Sequence, residues 1–179
     1  PSEPSSQIGI KVSSHGIWFP HGGALNPKRY AQYMSQKAES FLGTTVHEIV
    51  YRDDGWWLYD NLGHRIATVD TLVIAAAQQS NFFKPISFLP LSSLLGQISF
   101  IPKNESSHKL KASIINNGYL MPSIDGFHVL GSTYSRDGFE ENQWPQPVTI
   151  DGHKQNYDNL DWELKSLFSD YQFDQWLGY

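Results

Sequence analysis

At 179 residues the chain is the size of one ordinary domain, and 40% hydrophobic with 14% aromatic residues is a globular composition. The absence of cysteine excludes disulfides, thiolate metal sites and cysteine nucleophiles. The net charge is −5, and acidic residues outnumber basic ones over 136–179, which argues against a nucleic-acid footprint there, because phosphate contact needs Lys and Arg.

The N-terminal "PSEPSSQIG" lacks the basic start and apolar run of a signal peptide, and a start at Pro1 reads as a processed or excised piece. The stretch "GIWFPHGGALNPKRY" (16–30) then places a glycine pair before a helix, where backbone can approach a neighbour closely. Asn26 as N-cap, Pro27 at the first turn and Gly43 past the end predict a helix over 27–42, with Tyr30, Met34, Ala38 and Phe41 on its buried face. The period then changes. "TTVHEIVY" (44–51), "GWWLYDN" (55–61) and "IATVDTLVIAAA" (66–77) read as strands joined by turns at "DDG" and "NLG".

A proline-punctuated crossing, "NFFKPISFLPLSS", leads to a second strand-rich region at 96–102, 111–117, 118–123 and 127–135. Asp125-Gly126 predicts a hairpin turn before the last of these strands. The polar stretch 137–152 reads as a long loop. Tyr157, Leu160, Leu164 and Phe168 return to helical spacing over 153–168. The fold class is mixed α/β (α+β).

No GxGxxG, P-loop, HExxH or GxSxG occurs, and the seven histidines lack paired spacing, so no metal site is expected. No apolar run approaches the ~20 residues that span a bilayer. The lack of cysteine is compatible with a reducing cytoplasm, the expected location. Lys103, Lys109 and Lys111, with His108, form a modest basic cluster that reads as a solvated loop and strand edge.

The order of local patterns carries more than any single motif. It consists of "FPHGGALNP" (19–27), "LPLSSLLGQISFIP" (89–102), "GYLMPS" (118–123), "HVLGSTYSR" (128–136) and "NYDNL" (156–160). This order resembles the central portion of FAD-dependent oxidoreductases of the D-amino-acid oxidase and glycine oxidase superfamily. Within it, the pattern is similar to the oxidoreductase domain of bifunctional MnmC-type enzymes, which make 5-methylaminomethyl-2-thiouridine in tRNA.

The resemblance implies a mostly antiparallel substrate-domain sheet with flanking helices (1–24 and 85–179) and a remnant of the FAD-binding subdomain (25–84). It implies FAD as cofactor of a longer parent protein. Retention of FAD by this chain alone is not expected, since the family's pyrophosphate loop is GxGxxG. The implied parent reaction is oxidative removal of the carboxymethyl group from 5-carboxymethylaminomethyl-(2-thio)uridine at the tRNA wobble position. The implied partners are tRNA and a fused or neighbouring methyltransferase domain, with no membrane and no metal. Two alternatives stay open: a glycine- or sarcosine-oxidase-like enzyme for a free small amine, and a binding module without cofactor. The acidic balance predicts weak tRNA binding by this chain alone.

By the same resemblance, Tyr119, His21 and Gln97 lie on the substrate side, and Val46, Ala75, Ala77, Gly22 and Gly23 on the cofactor side. Each also has a structural reading. His21 and the glycines suit a helix-entry turn, Val46 and Tyr119 suit a core, and Gln97 suits a bond across the sheet. Gly131 suits tight sheet packing. Ala77 departs from the family, which places glycine at that turn.

Overall fold

The computed structural model describes residues 4–13, 15–135 and 146–179. It divides into two compact units, one of residues 27–93 and one formed by the segments on either side of it. Most of the loop expected over 137–152 lies outside the described residues.

Unit 27–93 begins with α2 (Pro27–Met34), which follows the short α1 (Pro4–Ile8) of the other unit. The helix expected to reach residue 42 stops at Met34 and tightens into a 3₁₀ turn over Ser35–Lys37. Ser35 Oγ donates to the Gln32 carbonyl at 3.2 Å, an alternative bond that competes with the helical ladder. The apolar stripe expected to be buried is exposed at Tyr30, Met34 and Phe41. Gly43 has a φ of 71° but sits well past the helix end.

The meander follows as an antiparallel sheet of β1 (Glu48–Arg52), β2 (Gly55–Tyr59) and β3 (Arg65–Val69). The first turn is a two-residue loop in which Asp53 and Asp54 both take left-handed backbone, the geometry that matches strand twist. In the second, Asp60 Oδ1 accepts the amides of Leu62 and His64. The strand expected over 66–77 ends at Val69. Residues 71–76 pair with no strand among the described residues, Val73 is 81% exposed, and a 3₁₀ turn starts at Ala77. An apolar run forms a ladder only where another strand receives its amides and carbonyls.

The other unit holds a five-stranded antiparallel sheet in the order β5-β6-β7-β4-β8. These are β4 (Ser99–Pro102), β5 (Ile114–Ile115), β6 (Tyr119–Leu120), β7 (Phe127–Gly131) and β8 (Leu177–Gly178). Asp125 and Gly126 make the expected turn, with both φ values positive and reciprocal bonds between Ile124 and Phe127. Alternation sends Leu120, His128, Leu130, Ser99 and Ile101 to one face, where all are fully buried. That face packs on α3 (Ile150–Asp158), α4 (Trp162–Lys165) and the turn after it, through Leu160, Leu164 and Phe168. The helical spacing read at 153–168 therefore covers two short helices and a 3₁₀ turn. Ile10, Leu110 and Trp176 complete the core. Gly9 crosses against the Lys109 carbonyl with a φ of 87°, a place where any Cβ would collide.

Candidate functional site

The opposite face of the five-stranded sheet is lined by half-buried side chains. Tyr119 lies directly across from Gly131 on β7, and Val129 across from Phe100 on β4. All four point away from the α3–α4 side, and Met121, whose amide donates to the Val129 carbonyl at 2.9 Å, continues the row. Gly131 is what lets the Tyr119 ring lie down on the sheet. A Cβ at Gly131 would stand 2.8 Å from the Tyr119 hydroxyl and 3.0 Å from Ile98 Cγ2. Burial, with Tyr134 beside it, pushes the Tyr119 hydroxyl pKa up, so the group is a neutral donor at physiological pH. The result is a half-buried, apolar strip with one phenol on it.

Gln97 belongs to the other side. Its Nε2 donates to the Thr149 carbonyl, and its Oε1 accepts the Thr149 amide, both at 2.9 Å. Thr149 Oγ1 in turn accepts the Gly152 amide and caps α3. Asn156 Nδ2 donates to the Gln97 carbonyl and to Ser99 Oγ, and the Ser99 hydroxyl donates to His153 Nδ1 at 2.8 Å. Burial lowers the pKa of His153. This buried cluster fastens the helix to β4, and the sheet separates it from Tyr119.

A second buried histidine sits nearby in sequence space but is held differently. His128 Nδ1 donates to the Met121 carbonyl, and its Nε2 accepts the Ser107 hydroxyl, each at 2.9 Å. Burial lowers its pKa, the Met121 carbonyl opposes this, and Lys103 adds to it. With both nitrogens engaged and no exposure, Ser107 and His128 are a structural pair despite their resemblance to a nucleophile and base.

His21, Gly22 and Gly23 lie in an exposed turn closed by the Gly22 amide on the Phe19 carbonyl at 3.0 Å. Gly23 has open space where a Cβ would stand. In the other unit Val46 is half-buried beside β1, and Ala75 and Ala77 are exposed. Ala77 has a φ of 48°, the left-handed backbone that favours glycine. The structure thus groups Tyr119 with Gly131 and leaves Gln97 behind the sheet.

Sequence reasoning passed over a concavity of about 440 Å³ on the N-terminal side of the same unit, lined by His15, Trp18, Asn116, Asp161 and Glu163 among others. Ser13, through its hydroxyl and its amide, holds the Glu163 carboxyl below the usual range. It also passed over Trp57, with the Arg52 guanidinium 5.4 Å and the Arg65 guanidinium 4.7 Å from its ring centre. Residues 52, 57 and 65 meet through strand register, which spacing alone does not announce. Among the described residues no group of three or more His, Asp or Glu could hold a metal, and no helix is long and apolar enough to cross a membrane.

Residues 3–178 match the family model described as FAD dependent oxidoreductase. Among curated proteins, the chain is similar to the tRNA 5-methylaminomethyl-2-thiouridine biosynthesis bifunctional protein MnmC of several bacteria. It is 27% identical to that of Shewanella pealeana over 158 residues, 85% of this chain and 24% of the relative. For Saccharophagus degradans the identity is 26% over 163 residues, 89% of this chain and 22% of the relative. For a further Shewanella strain it is 30% over 134 residues, 72% of this chain and 20% of the relative. The chain spans about a quarter of the length of these relatives.

Proposed function

The chain belongs to the FAD-dependent oxidoreductase family, and from that membership we propose that its open sheet face is the substrate wall of a flavin-dependent amine oxidation. The proposed reaction is removal of the carboxymethyl group from 5-carboxymethylaminomethyl-(2-thio)uridine at the tRNA wobble position, carried out by the intact protein. The tRNA half of this reading rests on the names of the relatives, which are described as bifunctional tRNA biosynthesis proteins. A fused or neighbouring methyltransferase is proposed on the same basis.

The observation that carries the reading is the Tyr119–Gly131 pair on the half-buried face of the sheet opposite α3 and α4. Its residues fit a flat, largely apolar ring system: Tyr119, Met121, Val129 and Phe100 present side chains of low polarity, and Gly131 keeps the Tyr119 ring low. Bound FAD would supply the two-electron oxidation of the C–N bond. Tyr119 would orient the substrate by donating a hydrogen bond to its carboxylate or accepting one from its ammonium group. The apolar neighbours would exclude water around that bond and strengthen it. Val46, Ala75, Ala77, Gly22 and Gly23 are proposed on the cofactor side, with residues 25–84 as the flavin-side portion. His21 is proposed at the substrate side. Gln97 lies behind that wall, where it fixes the helix cap.

The test uses the intact, flavin-loaded protein and tRNA bearing the carboxymethylaminomethyl base. Nucleoside analysis should show the aminomethyl base appearing in step with flavin reduction under anaerobic conditions. Reduction by free glycine or sarcosine, with the tRNA unchanged, would replace this reading with a small-amine oxidase.

A further inference from the structure

The outward face of the β1–β3 meander presents a different kind of surface. Register places Arg52, Trp57 and Tyr59 on one side of the sheet, with Val50 across from Trp57. Trp57 and Tyr59 lie with ring centres 6.5 Å apart and planes 29° from parallel. Both guanidiniums of Arg52 and Arg65 rest on the one Trp57 ring. Among the described residues neither makes an ion pair, whereas Lys154 and Lys165 each have an Asp partner. Two like charges on a single indole repel each other, and an incoming anion between them relieves that cost.

The face itself carries Arg52 and Arg65 against Glu48, while Asp53, Asp54, Asp60 and Asp70 lie beside the strands. Residues 27–93 carry equal numbers of acidic and basic side chains, so the net −5 belongs to the other unit. The Lys103–Lys111 segment has comparable basic charge but no aromatic ring interleaved with it. Glu48 stands across from Tyr59 on the same meander face and bounds the positive strip at that end.

We propose that this Arg52–Trp57–Tyr59–Arg65 face is a contact surface for unpaired nucleotides of RNA. Trp57 and Tyr59, both half-buried, offer the uncovered part of their rings to a splayed base, and the exposed guanidiniums reach its flanking phosphates. A duplex keeps its bases stacked on one another and cannot use the rings. The proposal rests on the reading of tRNA as substrate, and locates where the chain touches it outside the substrate wall.

The test measures fluorescence anisotropy of a labelled anticodon stem–loop RNA with the 179-residue chain at low salt. A fully paired RNA with the same number of phosphates serves as comparison. The stem–loop should bind more tightly than the duplex, and Trp57→Ala should weaken it about tenfold. Trp57→Phe should keep most of the affinity. Replacing both arginines with glutamine should flatten the slope of log affinity against log salt by about 1.4, the counterion release expected for two phosphate contacts on a single strand. Should Trp57→Ala unfold the meander by circular dichroism, the arginine pair decides, since both side chains are exposed.

Equal affinity for stem–loop and duplex, an unchanged salt slope, or no binding at low salt each overturns the proposal. Tighter binding of a polyglutamate peptide would also overturn it, in favour of an acidic protein partner. None of these readings requires turnover. Absence of RNA binding by the chain, with amine oxidation by the intact protein retained, refutes this surface alone, and RNA binding without amine oxidation refutes the substrate wall alone.

Discussion

The two units solve the burial problem differently. The five-stranded unit buries nine hydrophobic side chains together, from Ile10 to Trp176, and fastens β4 to α3 with a buried polar cluster. The meander unit buries Ile49 among its described hydrophobic residues and leaves Tyr30, Tyr33, Met34, Phe41, Val73 and Phe82 exposed. Its strands are held by local pairing, two tight turns and ring contacts between neighbouring aromatic side chains. One unit has long-range packing as its main support and the other has short-range ladders. A site that needs fixed geometry belongs on the first, and a surface that adapts to a flexible polymer suits the second.

The sharpest way to break this comparison is to empty the core. Leu130→Ala, at a fully buried position, should cost about 3–4 kcal/mol in denaturant unfolding, while Ile49→Ala should cost about 2 kcal/mol, near the low end for such substitutions. Equal losses would mean that the meander is packed as tightly as the sheet unit.

Acid acts next. Burial holds both His128 and His153 below the ordinary histidine pKa, so the unfolded chain binds more protons than the folded one under mildly acidic conditions. Their contribution is fully present above about pH 6.5, the unfolded value, and declines as pH falls through that value toward the lower folded ones. Urea midpoints followed by amide exchange in β7 and α3 should therefore drop between neutral and mildly acidic pH. Exchange in β1 and β2, which carry no buried histidine, should move less. A uniform drop would contradict the assignment of the effect to these two side chains.

The smallest effect is at Ala77. Replacing it with glycine removes the cost of left-handed backbone at a residue bearing a Cβ, and loses part of the gain to unfolded-state entropy. A net stabilisation of about 0.5 kcal/mol, read as a small rise in denaturant midpoint, is expected. A loss of stability would show that the Ala77 methyl makes packing that outweighs its strain.

Legibility in the sequence followed the same division. The meander and the Asp125-Gly126 hairpin were readable because alternation and turn residues are local signals. The spacing of Leu160, Leu164 and Phe168 found the helical side of the core for the same reason. The helix end at Met34 was missed because a single side-chain bond from Ser35 tightens the turn. The run 71–76 was misjudged because its apolar character describes a strand, while a strand also needs a partner. The Gln97–Ser99–His153–Asn156 cluster joins residues more than fifty positions apart, and no spacing rule anticipates it. Gly131 explains the posture of the Tyr119 ring only once register is known.

Tyr119→Phe in the intact, flavin-loaded protein tests the substrate wall most directly. On the proposed reading the hydroxyl would contribute one hydrogen bond to a charged group, so its loss should lower kcat/KM for the carboxymethylaminomethyl base about tenfold. Flavin content and thermal stability should stay nearly constant, because the ring still lies over Gly131. Unchanged kcat/KM, or a fall in stability that accounts for the lost activity, would make Tyr119 a packing residue and contradict the account.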